Sequence, residues 1–359
     1  MRILLRLLFV WFIFAMFLIT GCKKDSPSVI EPEIVGKLPY AEGVFISNEG
    51  QFPSGSGSVS FYNRITGLVQ NDIFSLANGV PLGSVVQSIE VYDSLAYIVV
   101  NNSGKVEVVN AGTFKSTGTI AGLNSPRYFL GIDSTKGYVS DWPDKIAVIN
   151  LQDLSISKTI PTASGPEKMV LSGDEVYAIN GGGWGVDSTI TLIDCRNDIA
   201  IQTIQVAKRP TGIVKDAGGR IWVMCSGKGF NGWPGADDSE GHLMMINPDS
   251  HIIGKDIIFP GTDNHPEKLA INREGTVLYF LYSGGIYQMD ISSNIYEYSV
   301  LVVSGNFYNL GCDPVSNHIF ATDPAGFQQE GYVYRFNPAD GTMINSVTVG
   351  VGPGEFFFR

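Results

Sequence analysis

An all-β fold is predicted by how apolar residues are spaced along this chain. Across most of its 359 residues, short apolar or alternating runs are cut off by Gly, Asn and Asp, the pattern of strands and turns and not of helices. A second observation turns the fold class into an architecture. Seven stretches of about forty to fifty-six residues repeat one plan of apolar strand, turn, strand, loop, strand, Asn/Asp turn and strand. A third observation closes the ring. The last residues, Pro353-Gly-Glu-Phe-Phe-Phe-Arg359, read as a first strand with no blade of its own, while the first copy opens directly on a second strand at Val44. The prediction is a seven-bladed β-propeller in which the C-terminal strand pairs into blade 1 and removes two exposed sheet edges.

The clearest copies cover residues 94–133, 134–174 and 175–218; longer ones cover 219–274, 275–314 and 315–359, and the first covers 43–93. Before them, residues 1–21 read as an export signal: Arg2 and Arg6, an apolar stretch over 7–19, then Ile-Thr-Gly-Cys22. The small residues before Cys22 resemble a lipobox, which makes that cysteine the lipidated N-terminus of the mature protein. The alternative, a membrane-spanning helix, needs about 20 apolar residues and this run is shorter. Residues 22–42 form the lipidated Cys and a Pro-, Ser- and Glu-rich tether, and 43–359 the propeller.

Removing the leader takes Arg2 and Arg6 with it and moves the formal charge from −11 to −13. With no basic run after the leader, nucleic acid is excluded as a partner, because its phosphates demand clustered Lys and Arg. Cys195, Cys225 and Cys312 fall in three different blades and are expected to be buried free thiols. His242, His251, His265 and His318 show no metal-ligand spacing. No cofactor is expected.

Naming the strands of a blade A to D from the ring centre outward, B-to-C and D-to-A connections share one face, and A-to-B and C-to-D connections the other. The second face is tight Asn, Asp and Gly turns such as Ser172-Gly-Asp174 and Asn247-Pro-Asp-Ser250, ordinary turn chemistry with no function assigned. The first face is different. Its B-to-C loops run Asn48 to Gly57 with Phe52, Asn180 to Asp187 with Trp184, Ser226 to Glu240 with Phe230, Asn231 and Trp233, and Asp323 to Glu330 with Phe327. A shorter one holds Trp142. Glycines supply the bends and the rings supply broad apolar contact.

Five D-to-A connections share a proline (Pro126, Pro166, Pro210, Pro266, Pro353), and the residues that follow include Arg127-Tyr128, Lys168 and Lys268; blade 6 substitutes Asn306-Phe307-Tyr308. Aromatics around three cations suit a ligand with both apolar surface and amide or phosphate acceptors. The candidate ligand-binding set is therefore Asn48, Phe52, Arg127, Trp142, Lys168, Asn180, Trp184, Phe230, Asn231, Trp233, Lys268, Tyr308 and Phe327. Against it stand plainer roles: Glu167-Lys168 and Glu267-Lys268 as rim ion pairs worth little, and loop rings that merely pack over blade edges.

The repeat phrase (apolar strand, Tyr-Val/Ala, Asn-x-Gly, Val-x-Val-Ile-Asn/Asp, Thr-Ile-x-Val, Gly-x-x-Pro) resembles the YncE-like or YVTN seven-bladed propellers over residues 43–359. A narrower likeness is carried by Gly43-Val-Phe-Ile-Ser-Asn-Glu-Gly-Gln-Phe-Pro-Ser-Gly-Ser-Gly-Ser-Val-Ser-Phe-Tyr62 and the Cys-Lys-Lys-Asp start. This resembles the surface propeller lipoproteins of Bacteroidetes that include the BtuG type, which capture vitamin B12 and pass it to a TonB-dependent outer-membrane transporter. The resemblance implies a corrinoid ligand, a lipid anchor in the outer membrane with exposure at the cell surface, and no catalysis.

Two other function classes fit the same residues. An enzyme, a propeller lyase or quinone-dependent dehydrogenase, would use loop-face carboxylates such as Asp141, Asp144, Glu167, Asp187, Asp263 and Glu267, but no histidine cluster or nucleophile motif accompanies them. A protein- or glycan-binding module would use the same aromatics. Asp237, Asp238 and Glu240 lack regular calcium-ligand spacing.

Overall fold

The computed structural model describes residues 38–359 apart from 54, 232–234 and 294; the leader, the Cys22 lipidation site and Trp233 lie outside the described residues. Within them, twenty-eight strands make seven four-stranded sheets, each antiparallel throughout. Blade 1 is assembled from both chain ends in the order β28 (Pro353–Phe358), β1 (Gly43–Asn48), β2 (Ser58–Asn63), β3 (Val69–Gln70). The predicted closure is therefore present, with Val44 opposite Phe358 and Phe45 opposite Phe357.

The other blades follow in chain order, four strands each: β4–β7 from Val86, β8–β11 from Ser125, β12–β15 from Pro166, β16–β19 from Pro210, β20–β23 from Glu267 and β24–β27 from Asn309. Their A strands, β4 (Val86–Tyr92), β8 (Ser125–Asp133), β12 (Pro166–Ser172), β16 (Pro210–Lys215), β20 (Glu267–Ile271) and β24 (Asn309–Cys312), join β28 around the central channel.

Why the inner strands are continuously apolar follows from what covers them. Each sheet is sandwiched between two neighbours, so both faces of strands B and C are buried and the usual alternation with polar residues disappears. Seven apolar clusters result, one at each blade interface. Tyr138 packs toward blade 4 with Val176 and Ala178, while the next residue, Val139, packs toward blade 2 with Val99 and Val108. The seventh cluster joins Val44, Ile46 and Tyr62 of blade 1 to Phe320 and Val333 of blade 7.

One element departs from the four-strand plan. After a D strand of only two residues, Ile73–Asn78 forms a short helix, α1, with Ile73 and Phe74 buried against Phe45 and Phe61. Gly79 ends it with φ 74°, donating its N–H to the Ser75 carbonyl at 2.7 Å, a left-handed cap that glycine adopts without Cβ strain.

The closure is also tied electrostatically. Arg64 of the first C-to-D turn pairs with Asp313 of blade 7 at 2.9 Å and donates to the C-terminal Arg359 carbonyl at 2.7 Å; the Asp313 side chain is 1% exposed.

Candidate functional site

The residues at the channel mouth are aimed by a repeated irregularity. In six blades the pairing of A with B slips just after the position of the recurring proline, and the extra residues are Gln87, Arg127-Tyr128, Glu167-Lys168, Thr211, Lys268-Leu269 and Gly354-Glu355. A β-bulge bends the strand and turns a side chain out of the ladder. Six equivalent bulges around one ring turn their polar groups into a crown.

Within that crown most of the charges are already partnered. Arg127 pairs with Glu167 at 3.1 Å and donates to Gln87 at 2.5 Å; Lys168 pairs with Glu355 at 2.9 Å, whose other oxygen accepts the Tyr128 hydroxyl at 3.2 Å. Tyr308 donates to Glu49 at 2.8 Å. Lys268 stands over the Tyr308 ring at 5.3 Å and, among the described residues, is the crown cation without an ion pair inside 4 Å.

Burial shapes the protonation of these groups. It raises Glu49 above the usual carboxylate range, partly offset by the Tyr308 hydrogen bond. Burial alone would also raise Glu355, yet Lys168 and Lys268 outweigh it and hold that carboxyl low. Tyr128 and Tyr308 are driven well above the phenol range by burial and then by the adjoining Glu355 and Glu49.

Beside the crown lies an aromatic slot. Trp142 donates its Nε1 hydrogen to the Pro166 carbonyl at 3.1 Å and is backed by the Arg127 guanidinium, 4.5 Å from its ring. Trp184 stands at 77° to it with centroids 6.0 Å apart, and is 97% exposed. Between them a concavity of about 470 Å³ is floored by Gly182, Gly183 and Gly185 and edged by Ser125 and Ser164. Gly182 and Gly183 take φ of 93° and 61°, backbone angles that a larger residue would adopt only with strain.

The remaining predicted residues divide. Phe230 carries Arg209 on its face at 4.1 Å, and Asn231 clamps its loop to His265 by exchanging two hydrogen bonds with that residue's backbone, of 3.1 and 2.8 Å. Phe327 packs edge-on against Tyr308 at 5.1 Å, the packing role weighed against it. Phe52 is exposed.

Asn48 and Asn180 are corrections: both are fully buried and present nothing to the face. Asn48 donates to Ser58 and Ser60, and Asn180 to Thr189 and Thr191, because each is paired in register with the first residue of strand C. Arg127 and Lys168 reach the crown as predicted, but inside ion pairs. Sequence reasoning missed Glu49, Gln87 and Glu355, although Glu355 stands two residues after Pro353 as Lys168 stands two after Pro166. Cys195, Cys225 and Cys312 are buried free thiols, as expected. Among the described residues no group of three or more His, Cys, Asp or Glu is placed to hold a metal ion.

The sequence matches a family over residues 42–358, nearly the whole propeller, described as a domain of unknown function, DUF5074. The chain belongs to this family. No curated protein matches this sequence. In three dimensions it is similar to a quinonprotein alcohol dehydrogenase-like protein from Bacteroides thetaiotaomicron (TM-score 0.65, 14% identity, covering 89% of this chain and 78% of that one). A protein from Bacteroides uniformis named for 6-phosphogluconolactonase superimposes with TM-score 0.65 at 14% identity, over 89% of this chain and 99% of that one. Hydrazine synthase of Kuenenia stuttgartiensis superimposes with TM-score 0.60 at 14% identity, over 72% and 84%. At such identities these likenesses show the propeller fold, which hosts many unrelated activities.

Proposed function

We propose that this DUF5074 propeller is a capture protein whose loop-rich face binds a corrinoid, displayed on a lipid anchor at Cys22 and handing its ligand to a TonB-dependent outer-membrane transporter. The observation that carries the binding reading is Trp184, nearly the largest apolar surface a residue offers, left 97% in water opposite Trp142. Exposed aromatic surface beside a preformed concavity is what a ligand covers.

The corrinoid itself rests on the family resemblance of residues 43–62 and the Cys22 start. Its chemistry suits the face: apolar ring edges for the slot, and peripheral amides and a phosphate for Lys268, Ser125 and Ser164. The face is rigid before binding, since Arg127 is fixed by Glu167 and Gln87 and in turn fixes Trp142. A preformed rim loses little entropy on association.

Binding, not catalysis, is favoured by how the face spends its carboxylates. Asp141 is fully buried and accepts the backbone N–H groups of Asn124 and Ser125; Glu167 is held by Arg127; Asp187 accepts from Ser188 and Thr189.

Titrating the purified chain with cyanocobalamin, cobinamide and a glycan panel, followed by calorimetry and tryptophan fluorescence, tests this. Saturable corrinoid binding with quenching is expected. Replacing Trp142 and Trp184 together by Ala should weaken it at least about a hundredfold, the loss of about 2.7 kcal/mol expected from two central aromatic contacts. Arg273→Ala, in an A-to-B turn, should leave it unchanged. Absence of heat and quenching with every corrinoid overturns the proposal.

A further inference from the structure

Below the crown the channel holds a second, smaller cavity of about 190 Å³. Its lining is mixed: Glu90, Lys168, Glu355 and Tyr128 bring polar groups, and Ile89, Leu130, Met169 and Ile213 bring apolar ones from four successive A strands. Glu90 faces it from β4, three residues further along than Gln87 and so about 10 Å deeper.

Glu90 differs from every other carboxylate there. Neither of its oxygens has a hydrogen-bond or ion-pair partner among the described residues, whereas Glu355 beside it is bonded by Lys168 and Tyr128. From β28 it faces Glu355, from β8 Tyr128, from β12 Lys168, and from β16 only Ile213. The connected network contains the carboxylates of Glu49, Glu90, Glu167 and Glu355 against the cations Arg127, Lys168 and Lys268. One negative charge is left without a counterpart, and it sits half-buried on a partly open cavity of the channel, where an uncompensated carboxylate is costly.

We propose that this cavity binds a small organic ammonium ion, its charge against Glu90 and its short alkyl body against Ile89, Leu130, Met169 and Ile213. A metal ion fits less well. Only one carboxylate is free, and the described residues offer no group of three metal-ligating side chains. Waters occupy about 30 Å³ each, so the cavity has room for an ammonium carrying a few carbons. Burial keeps Glu90 protonated up to about 8, with Lys168 opposing that rise. Proton and ammonium therefore compete for the same carboxylate. The site is independent of what the loop face captures.

Calorimetric titration of the purified chain with propylammonium chloride at constant ionic strength tests this, with propanol as the neutral isostere and sodium and potassium chloride as metal competitors. One saturable site is expected at pH 9, weakening close to tenfold for each pH unit below 8 as the proton competes. Glu90→Gln, shown folded by its thermal transition, should bind at least tenfold more weakly and lose the pH dependence. Equal binding of propanol, displacement by equimolar sodium or potassium, or undiminished affinity in Glu90→Gln overturns the proposal.

Discussion

A chain ending at Val351 is expected to lose cooperative folding at 25 °C, not merely to melt at a lower temperature. Ending there removes β28, and with it the inner strand of blade 1 and the pairing of Val44, Phe45 and Ile46. It also removes Phe356 and Phe358, which pack on Phe320 with centroids at 5.9 and 5.4 Å, and Phe357, which packs on the blade 1 and 2 cluster. These rings are partly buried, so each costs less than the roughly 3–5 kcal/mol of a fully buried phenylalanine, but added to the lost strand pairing they take a large share of the roughly 5–15 kcal/mol that holds a typical domain. The blade 7 backbone is shaped to receive this strand: a Cβ at Gly311 would lie 2.7 Å from the Phe358 ring. Far-ultraviolet circular dichroism through a urea titration checks the outcome; a single sigmoidal transition with the full-length midpoint would contradict it. Arg64→Ala is a graded version of the same experiment. It leaves Asp313 buried without its cation and should cost about 3–5 kcal/mol, with the protein still folded.

How much of this was legible in the sequence depends on whether a residue's role is set by its neighbours along the chain or across the ring. Burial of both sheet faces writes itself into the chain as continuous apolar runs such as Leu95–Val100, so blades and their order could be read directly. Closure was legible because β28 follows the proline that opens other A strands. Strand register was not. Asn48 and Asn180 look like the first residues of loops, and only the pairing with Ser58 and Thr189 shows them to be the last residues of strands. The crown was half legible: the proline marks where the bulges lie, but that Lys168 is neutralised by Glu355, 187 residues away, depends on ring geometry that no local pattern records. Helix α1 was hidden for the opposite reason, since its six residues are too few to display a helical period.

Glu90→Gln should make the protein more stable than wild type at pH 9, with the gain shrinking to about 1 kcal/mol or less at pH 5. The sign follows from proton counting. An unfolded glutamate loses its proton near 4.3, whereas the folded chain holds the Glu90 proton up to about 8 because burial disfavours the charged form. Between these values the native state binds more protons than the unfolded state, so this group makes unfolding easier as pH rises, by up to about 1.4 kcal/mol per unit. Below 4.3 both states are protonated and the contribution vanishes; above 8 the full penalty is present. Glutamine keeps the shape and cannot ionise, which leaves the variant ahead by about 2 to 5 kcal/mol at pH 9 after allowing for relief of the charge by Lys168 and channel solvent. The raised Glu49 and lowered Glu355 titrate in both proteins and largely cancel in the difference. Urea midpoints of the two chains at half-unit steps from pH 5 to 9 measure it, and parallel curves would show that Glu90 is ionised and solvated throughout. Propylammonium at pH 9 should then close the gap by raising the wild-type midpoint alone, since a ligand stabilises only the state that binds it. A counter-ion and a proton are two ways of answering one unpaired charge.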